Sequence, residues 1–187
     1  THLEVELNQR DNRQGGTDGG NAVWQLSLDW MPVKGFRLSG NLLADEIVID
    51  DFEREEGKPH SLAYQGRLSW SGMTTKRLAY TVFAEYTRVG TYTLRHGDGG
   101  NNFVSRGFPL GTELGSDGDR WLFGVRFVTR SRLITTISIG KKRSGEQNLL
   151  QNLYEPYSQF VDVPFPSGVV NKVRLFQFEL SYRPKRN

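Results

Sequence analysis

Cysteine is absent from this chain. Disulfides and thiolate chemistry are therefore excluded, and with them any signal of redox compartment. Long apolar runs are also missing. No stretch approaches the roughly 18–20 residues that a membrane helix needs. There is no signal peptide and no initiator Met, and the chain opens at once on the strand-like "THLEVEL". The expectation is a chain whose leader has been removed, or a piece of something longer. Charge of one sign is scarce. The net charge of +3 is spread along the chain, which is too diffuse to argue for nucleic acid. Helical periodicity is lacking in every segment of useful length. What remains is compatible with order. Charged residues make up 24% and hydrophobic ones 36% of 187 residues, enough for one domain and not a disordered composition.

Alternation with period 2, the mark of a half-exposed strand, recurs along the sequence. It predicts eight strands, at about 2–8, 21–31, 35–46, 61–72, 77–88, 119–130, 132–143 and 172–183. From the second strand on, each has an uncharged face. These faces carry, for example, Trp24, Leu26, Leu28 and Trp30; Leu78, Tyr80, Val82, Ala84 and Tyr86; and Trp121, Phe123, Val125 and Phe127. The opposite faces carry Asp29, Arg37, Asp45, Arg67, Glu85, Arg126, Lys142 and Glu179. The connections alternate as well. "PVKG", "GMTTK" and "RS" are short, whereas about 9–20, 47–60, 89–118 and 144–171 are long.

A soluble antiparallel sandwich would bury the apolar faces in a core. Three features favour a membrane barrel instead. Strict short–long alternation suits an up-and-down meander with short periplasmic turns and long external loops, where sandwiches mix their connections through Greek keys. The rings cluster at strand ends. Trp30, Phe36, Trp70, Phe127 and Tyr182 lie near the short turns, and Trp24, Tyr64, Tyr86 and Trp121 near the long loops. That is the placement expected of aromatics at two membrane interfaces. The expected strands are also about twice the usual 5 or 6 residues of globular sheets, close to the 9–11 that cross a bilayer. The polar faces would then line a lumen, with ion pairs and water inside.

The glycine-rich "HGDGG" and "GSDGD" raise phosphate and calcium readings. A phosphate cradle needs a following helix and a GK[ST] sequence, and here a strand follows. Asp117 and Asp119 could offer oxygens to calcium, but the EF-hand spacing is missing and a turn is the simpler reading. No metal site and no cofactor is expected. His2, His60 and His96 are scattered, and a Ser-His-acid hydrolase would need convergence that spacing does not provide. "DDFEREEGK", residues 50–58, reads as a solvated loop. Tyr154, Tyr157, Phe160 and Phe165 fall in a long external loop, where exposed rings suit sugar stacking or loop packing equally.

Residues 79–127 contain "EYTRVGTYTLRHG" followed by "NNFVSRGFPLGTELGSDGDRWLFGVRF". This text resembles the outer-membrane capsule-assembly family, the Wzi-type proteins. The "EYT" strand end, the run "RGFPLGTELGSDGDR" and a strand with Gly124 carry the resemblance. It implies a large barrel of many more than eight strands, of which this chain is the C-terminal part, in the outer membrane of a Gram-negative bacterium. It also implies a non-enzymatic role in attaching or organising capsular polysaccharide.

The expectation is an all-β, antiparallel, up-and-down transmembrane β-barrel segment over residues 1–187. Its partners would be outer-membrane lipid and a surface polysaccharide, not nucleic acid. The candidate sugar-binding residues are Arg95, Asn101, Asn102, Arg106, Asp117, Asp119, Tyr154 and Tyr157, since Arg and Asn suit carboxylates and hydroxyls. The same loop residues could equally cap the barrel mouth. Phe103, Phe108 and Leu114 need burial, so the 89–118 loop should fold over the lumen. Rival readings are a porin-like channel and an outer-membrane lipid hydrolase.

Overall fold

The structure, a computed structural model, describes residues 23–49, 51, 55, 57, 59–95, 104–106, 108–109, 112–129, 133–147, 149 and 165–183. These residues form an all-β antiparallel architecture. The strands are β1 (Trp24–Trp30), β2 (Phe36–Glu46), β3 (Ser61–Thr75), β4 (Leu78–Val89), β5 (Val104–Ser105), β6 (Phe108–Pro109), β7 (Gly118–Thr129), β8 (Leu133–Ser144) and β9 (Asn171–Tyr182). Seven of them make one up-and-down sheet in the order β1-β2-β3-β4-β7-β8-β9, and β5 and β6 make a separate two-stranded ribbon. The sheet is not closed. Among the described residues β1 and β9 each pair on one side only.

The alternation located the seven strands of the large sheet to within about three residues, whereas β5 and β6 fall in the expected loop 89–118. The expected strand at 2–8 lies outside the described residues. β3 is the main difference. It runs on to Thr75, so most of the expected turn "GMTTK" is strand and only Lys76 and Arg77 separate β3 from β4. The register shifts between Met73 and Thr75. A bulge of this kind breaks strict alternation, which hides the end of the strand from a period-2 reading. The β1–β2 connection is tight for a specific reason. Gly35 adopts φ +86°, and its carbonyl accepts a hydrogen bond from the Ser71 amide at 2.7 Å. A Cβ at this position would collide with the Ser71 carbonyl.

Directly opposed residues share a face of the sheet. One such row crosses six strands as Phe36, Trp70, Val82, Val125, Ile137 and Phe178, with no charge in it. This outer face is exposed: Val82 is 51% and Phe178 59% accessible, with Leu28, Leu68, Phe123 and Ile139 similar. The opposite, inner face is where burial occurs. Phe83, Glu85, Thr87 and Val89 all point that way along β4, and all are buried. Rings band the outer face at both ends, as expected. Tyr86 lies 4.2 Å from Trp121 and 5.9 Å from Tyr64 between ring centroids at the long-loop end, and Phe36 lies 6.2 Å from Trp70 at the other.

Candidate functional site: the loop-covered end of the inner face

The inner face is held by polar pairs between neighbouring strands. At the middle, Glu85 receives Arg120 at 3.0 Å and Arg67 at 3.5 Å, and Arg120 also reaches Glu113 at 2.6 Å. The Arg67 guanidinium lies 4.1 Å from the centroid of the Phe83 ring. Toward the short turns, Arg37 grips Asp29 with two bonds of 2.8 and 2.6 Å. Ser27 bonds Asn41, Ser71 bonds Thr81, and Ser138 bonds Gln177. Opposite charges at facing and diagonal positions are what a shared polar surface selects. Asp29, Arg37, Arg67, Glu85 and Arg120 thus resolve into ion pairs, whereas Arg126 bonds the Thr136 hydroxyl and Lys142 the Glu113 carbonyl.

The long-loop end is closed by a knot of hydrogen bonds centred on Asp117. This residue is fully buried and has φ 54°, a left-handed conformation that Asp tolerates better than most residues. Its carboxylate accepts from Thr91 Oγ1 at 3.0 Å, from the Ser167 amide at 3.0 Å, from the Gln147 amide at 3.1 Å and from the Ser167 hydroxyl. Its own amide donates to the Gly90 carbonyl, and its carbonyl accepts from Gly145. Two long connections, 89–118 and 144–171, thus meet on one side chain. A Cβ at position 145 would collide with this carboxylate, so only glycine fits there. Leu94 and Arg95 extend the closure. The Leu94 amide donates to Asp45 Oδ2 at 2.7 Å, and the Arg95 guanidinium donates to Gln147 Oε1 at 2.9 Å. Leu94 holds φ 67°, costly for a bulky residue. Its buried side chain and the bond to Asp45 hold it in place. Leu114 is buried under the same cover, as expected for a loop folded onto the strand ends.

The sugar-binding expectation needs correction at three positions. Arg95, Asp117 and Asp119 are 3%, 0% and 1% exposed, so none can meet a ligand arriving from solvent. Asp119 is clamped by Arg143, through Nε at 2.8 Å and a second nitrogen at 2.5 Å, and accepts from the Tyr86 hydroxyl at 3.2 Å. These residues close the strand ends, the other role that loop position allowed. Arg106 is exposed, at φ 50° in the turn of the β5–β6 ribbon. Asn101, Asn102, Tyr154, Tyr157, Phe103 and Phe160 lie outside the described residues. Phe165 is described, and its ring lies 3.7 Å from the Arg88 guanidinium carbon. The contact ties the 144–171 loop to the end of β4.

Sequence reasoning missed Asp45, Thr91, Gln147 and Ser167 as partners in the knot. They come from four separate segments, and no local spacing announces their meeting. It also missed a hollow of about 430 Å³ beneath the loops, lined by Gln25, Asn41, Gln65, Thr87, Val89 and Leu94 among others. Its amide and hydroxyl groups offer both donors and acceptors, but Leu43, Ala63, Val89 and Leu94 make most of the wall apolar. A second hollow of about 680 Å³ lies toward the short turns, with Arg37, Ser39, Arg67 and Ser69 in its wall. Among the described residues no group of His, Asp and Glu is placed to hold a metal ion. The His60 Nδ1 accepts from the Val48 amide at 3.1 Å and is occupied. His2 and His96 lie outside the described residues. No family model, curated protein or solved structure matches the chain.

Proposed function

We propose that the chain is part of an outer-membrane β-barrel of a Gram-negative bacterium that attaches or organises capsular polysaccharide at the cell surface. Binding is non-covalent, takes place at the long-loop end, and involves no catalysed reaction. The observation that carries the barrel is inverted polarity. The face that is uncharged over most of its length is open, burial on the charged face centres on β4 and the long-loop end, and rings band the open face at both ends. In water an apolar face of seven strands would seek a second layer. In a bilayer it is the required surface.

The open sheet is consistent with this reading. An unpaired strand edge in hydrocarbon costs several kcal/mol per backbone group, so β1 and β9 take further strands as neighbours, residues 2–8 among the candidates. The capsule part of the proposal rests on the resemblance over residues 79–127. It is supported by the hollow below the loops, where Gln25, Asn41 and Gln65 share a largely apolar wall with Leu43, Ala63, Tyr64 and Val89, a mixture that suits the polar edge and apolar face of a sugar ring. The pinned loops favour a plugged lumen over the porin-like alternative.

The test uses encapsulated cells that lack this protein, complemented with the wild-type chain or left empty. Capsular polysaccharide is measured on sedimented cells and in the supernatant. Loss to the supernatant, restored by the wild-type chain, is the expected result. Unchanged retention, together with large steady conductance of the purified protein in planar bilayers, would favour the channel.

A further inference from the structure

The outer face of β7, β8 and β9 is uncharged over most of its length, yet every charge it has lies at one end. Following the face toward the long loops, Phe123, Ile139 and Phe176 form one row. The next row is Trp121, Lys141 and Arg174, and the last is Asp119, Arg143 and Lys172. Opposed residues sit about 5 Å apart and successive rows about 7 Å apart at Cα. Four cationic side chains thus share a patch no larger than a lipid headgroup. Lys141, Lys172 and Arg174 are exposed, and Arg143 is 36% exposed at its side chain. The one carboxylate on this patch, Asp119, is buried and engaged by Arg143. Among the described residues Lys141, Lys172 and Arg174 have no acidic partner.

This arrangement is poor as a purely structural device. Lys141 faces Arg174 directly, and Arg143 faces Lys172. Like charges at opposed positions destabilise a sheet. A polyanion lying between them reverses the sign of that term. The position also selects the kind of anion. Trp121 stands in the same row as Lys141, at the level where aromatic side chains meet headgroups. Immediately below it are Ile139, Phe176 and Phe178, 59%, 72% and 59% exposed. The patch is cationic at the interface and apolar beneath, which is the profile of one amphiphile.

We propose that Lys141, Arg143, Lys172 and Arg174 bind the phosphate groups of an outer-leaflet lipid whose acyl chains lie along Ile139, Phe176 and Phe178. Arginine and lysine together suit this role, one as a planar fork and the other as a mobile point charge on phosphate oxygens. The inference rests on the membrane-barrel reading but not on the polysaccharide. The lipid would hold the β8–β9 end of the sheet at a fixed depth and screen its cations from one another.

The experiment uses the full chain, delipidated in a neutral detergent, with bound lipid counted by native mass spectrometry. The probes are lipid A with its two phosphates, the same lipid stripped of both, and inorganic phosphate. The wild type is expected to retain diphosphorylated lipid A at least tenfold more tightly than the stripped form. The double variant Lys141→Gln/Arg174→Gln is expected to lose that preference. All substituted atoms are exposed, and the comparison of two lipids on the wild type stands even if the variant fails to fold. Equal retention of both lipids overturns the proposal. So does displacement of lipid A by 10 mM inorganic phosphate at unchanged ionic strength, which would make this a free-anion site. Insertion into pure phosphatidylcholine vesicles is measured alongside. A wild type that inserts but does not discriminate loses only the lipid site, whereas one that never inserts loses the membrane reading as well.

Discussion

The two faces of β4 obey opposite rules although they alternate residue by residue. Val82 is half exposed and uncharged, while its neighbours Phe83 and Glu85 are buried. In a water-soluble sheet a charge such as Glu85 would be the exposed one and Val82 the covered one. The contrast shows that the solvent of each face, and not hydrophobicity alone, decides which side chains are covered. The inner face creates its own polar interior from cross-strand pairs and loop cover. Among the described residues the outer face has no such cover.

The largest change should follow from removing the cover. Asp117→Ala leaves the buried Ser167 amide without its acceptor, worth about 1–3 kcal/mol, leaves the Gln147 amide only the Ser167 hydroxyl, and strains a left-handed position. A loss of about 3–5 kcal/mol is expected in chemical denaturation, with new protease cleavage in the loops. Asp117→Asn should lose less, because Asn tolerates the same φ and retains an acceptor oxygen. Unchanged protease resistance in both variants would remove Asp117 from its place as the closure. Next comes the outer face itself. Val82→Arg should cost about 2–4 kcal/mol for folding into vesicles if that face meets hydrocarbon. Facing water, the same substitution should stay within about 0.5 kcal/mol. The sign of the comparison therefore rests on one refolding titration.

Smaller effects should separate the polar pairs of the two faces. Glu85→Gln removes the charge that two guanidiniums share. A buried pair broken on one side costs about 3–5 kcal/mol, but Arg67 is 40% exposed, so solvent screening brings the expected loss to about 2 kcal/mol. Stability unchanged on this substitution would mean that the arginines are already satisfied by water. Tyr86→Phe removes one hydroxyl from the partly exposed Asp119 clamp, and about 1 kcal/mol should be lost. Because Arg143 still holds the carboxylate, a much larger loss would show that the hydroxyl, not the guanidinium, organises this end.

The strands were legible because period 2 survives in almost all of them. From Leu78 to Tyr86 every second residue is uncharged, although Phe83 interrupts the polar face, and β4 starts at Leu78. It failed where a bulge interrupts it at Met73–Thr75 and where strands are two residues long, as in β5 and β6. The ring bands were legible for the same reason. The knot was not, since Asp117 meets Thr91, Gln147 and Ser167 only after two long loops have converged. Local turn chemistry explains an Asp beside a Gly but does not say whether its carboxylate points out or in. The cationic patch lay within reach of the method. Continuing the outer face of β8 one step beyond Ile139 gives Lys141, and the next gives Arg143.

Glu85 also bears on how the strands find one another. It sits opposite Arg67 in β3 and takes a second guanidinium diagonally from β7. Sliding β4 by a single residue would turn this carboxylate to the other side, away from both arginines and among Leu68, Trp70 and Phe123. A misaligned intermediate would carry a bare anion where none is tolerated. The charge therefore acts as a proofreading mark, rejecting wrong alignments during assembly more strongly than it strengthens the right one.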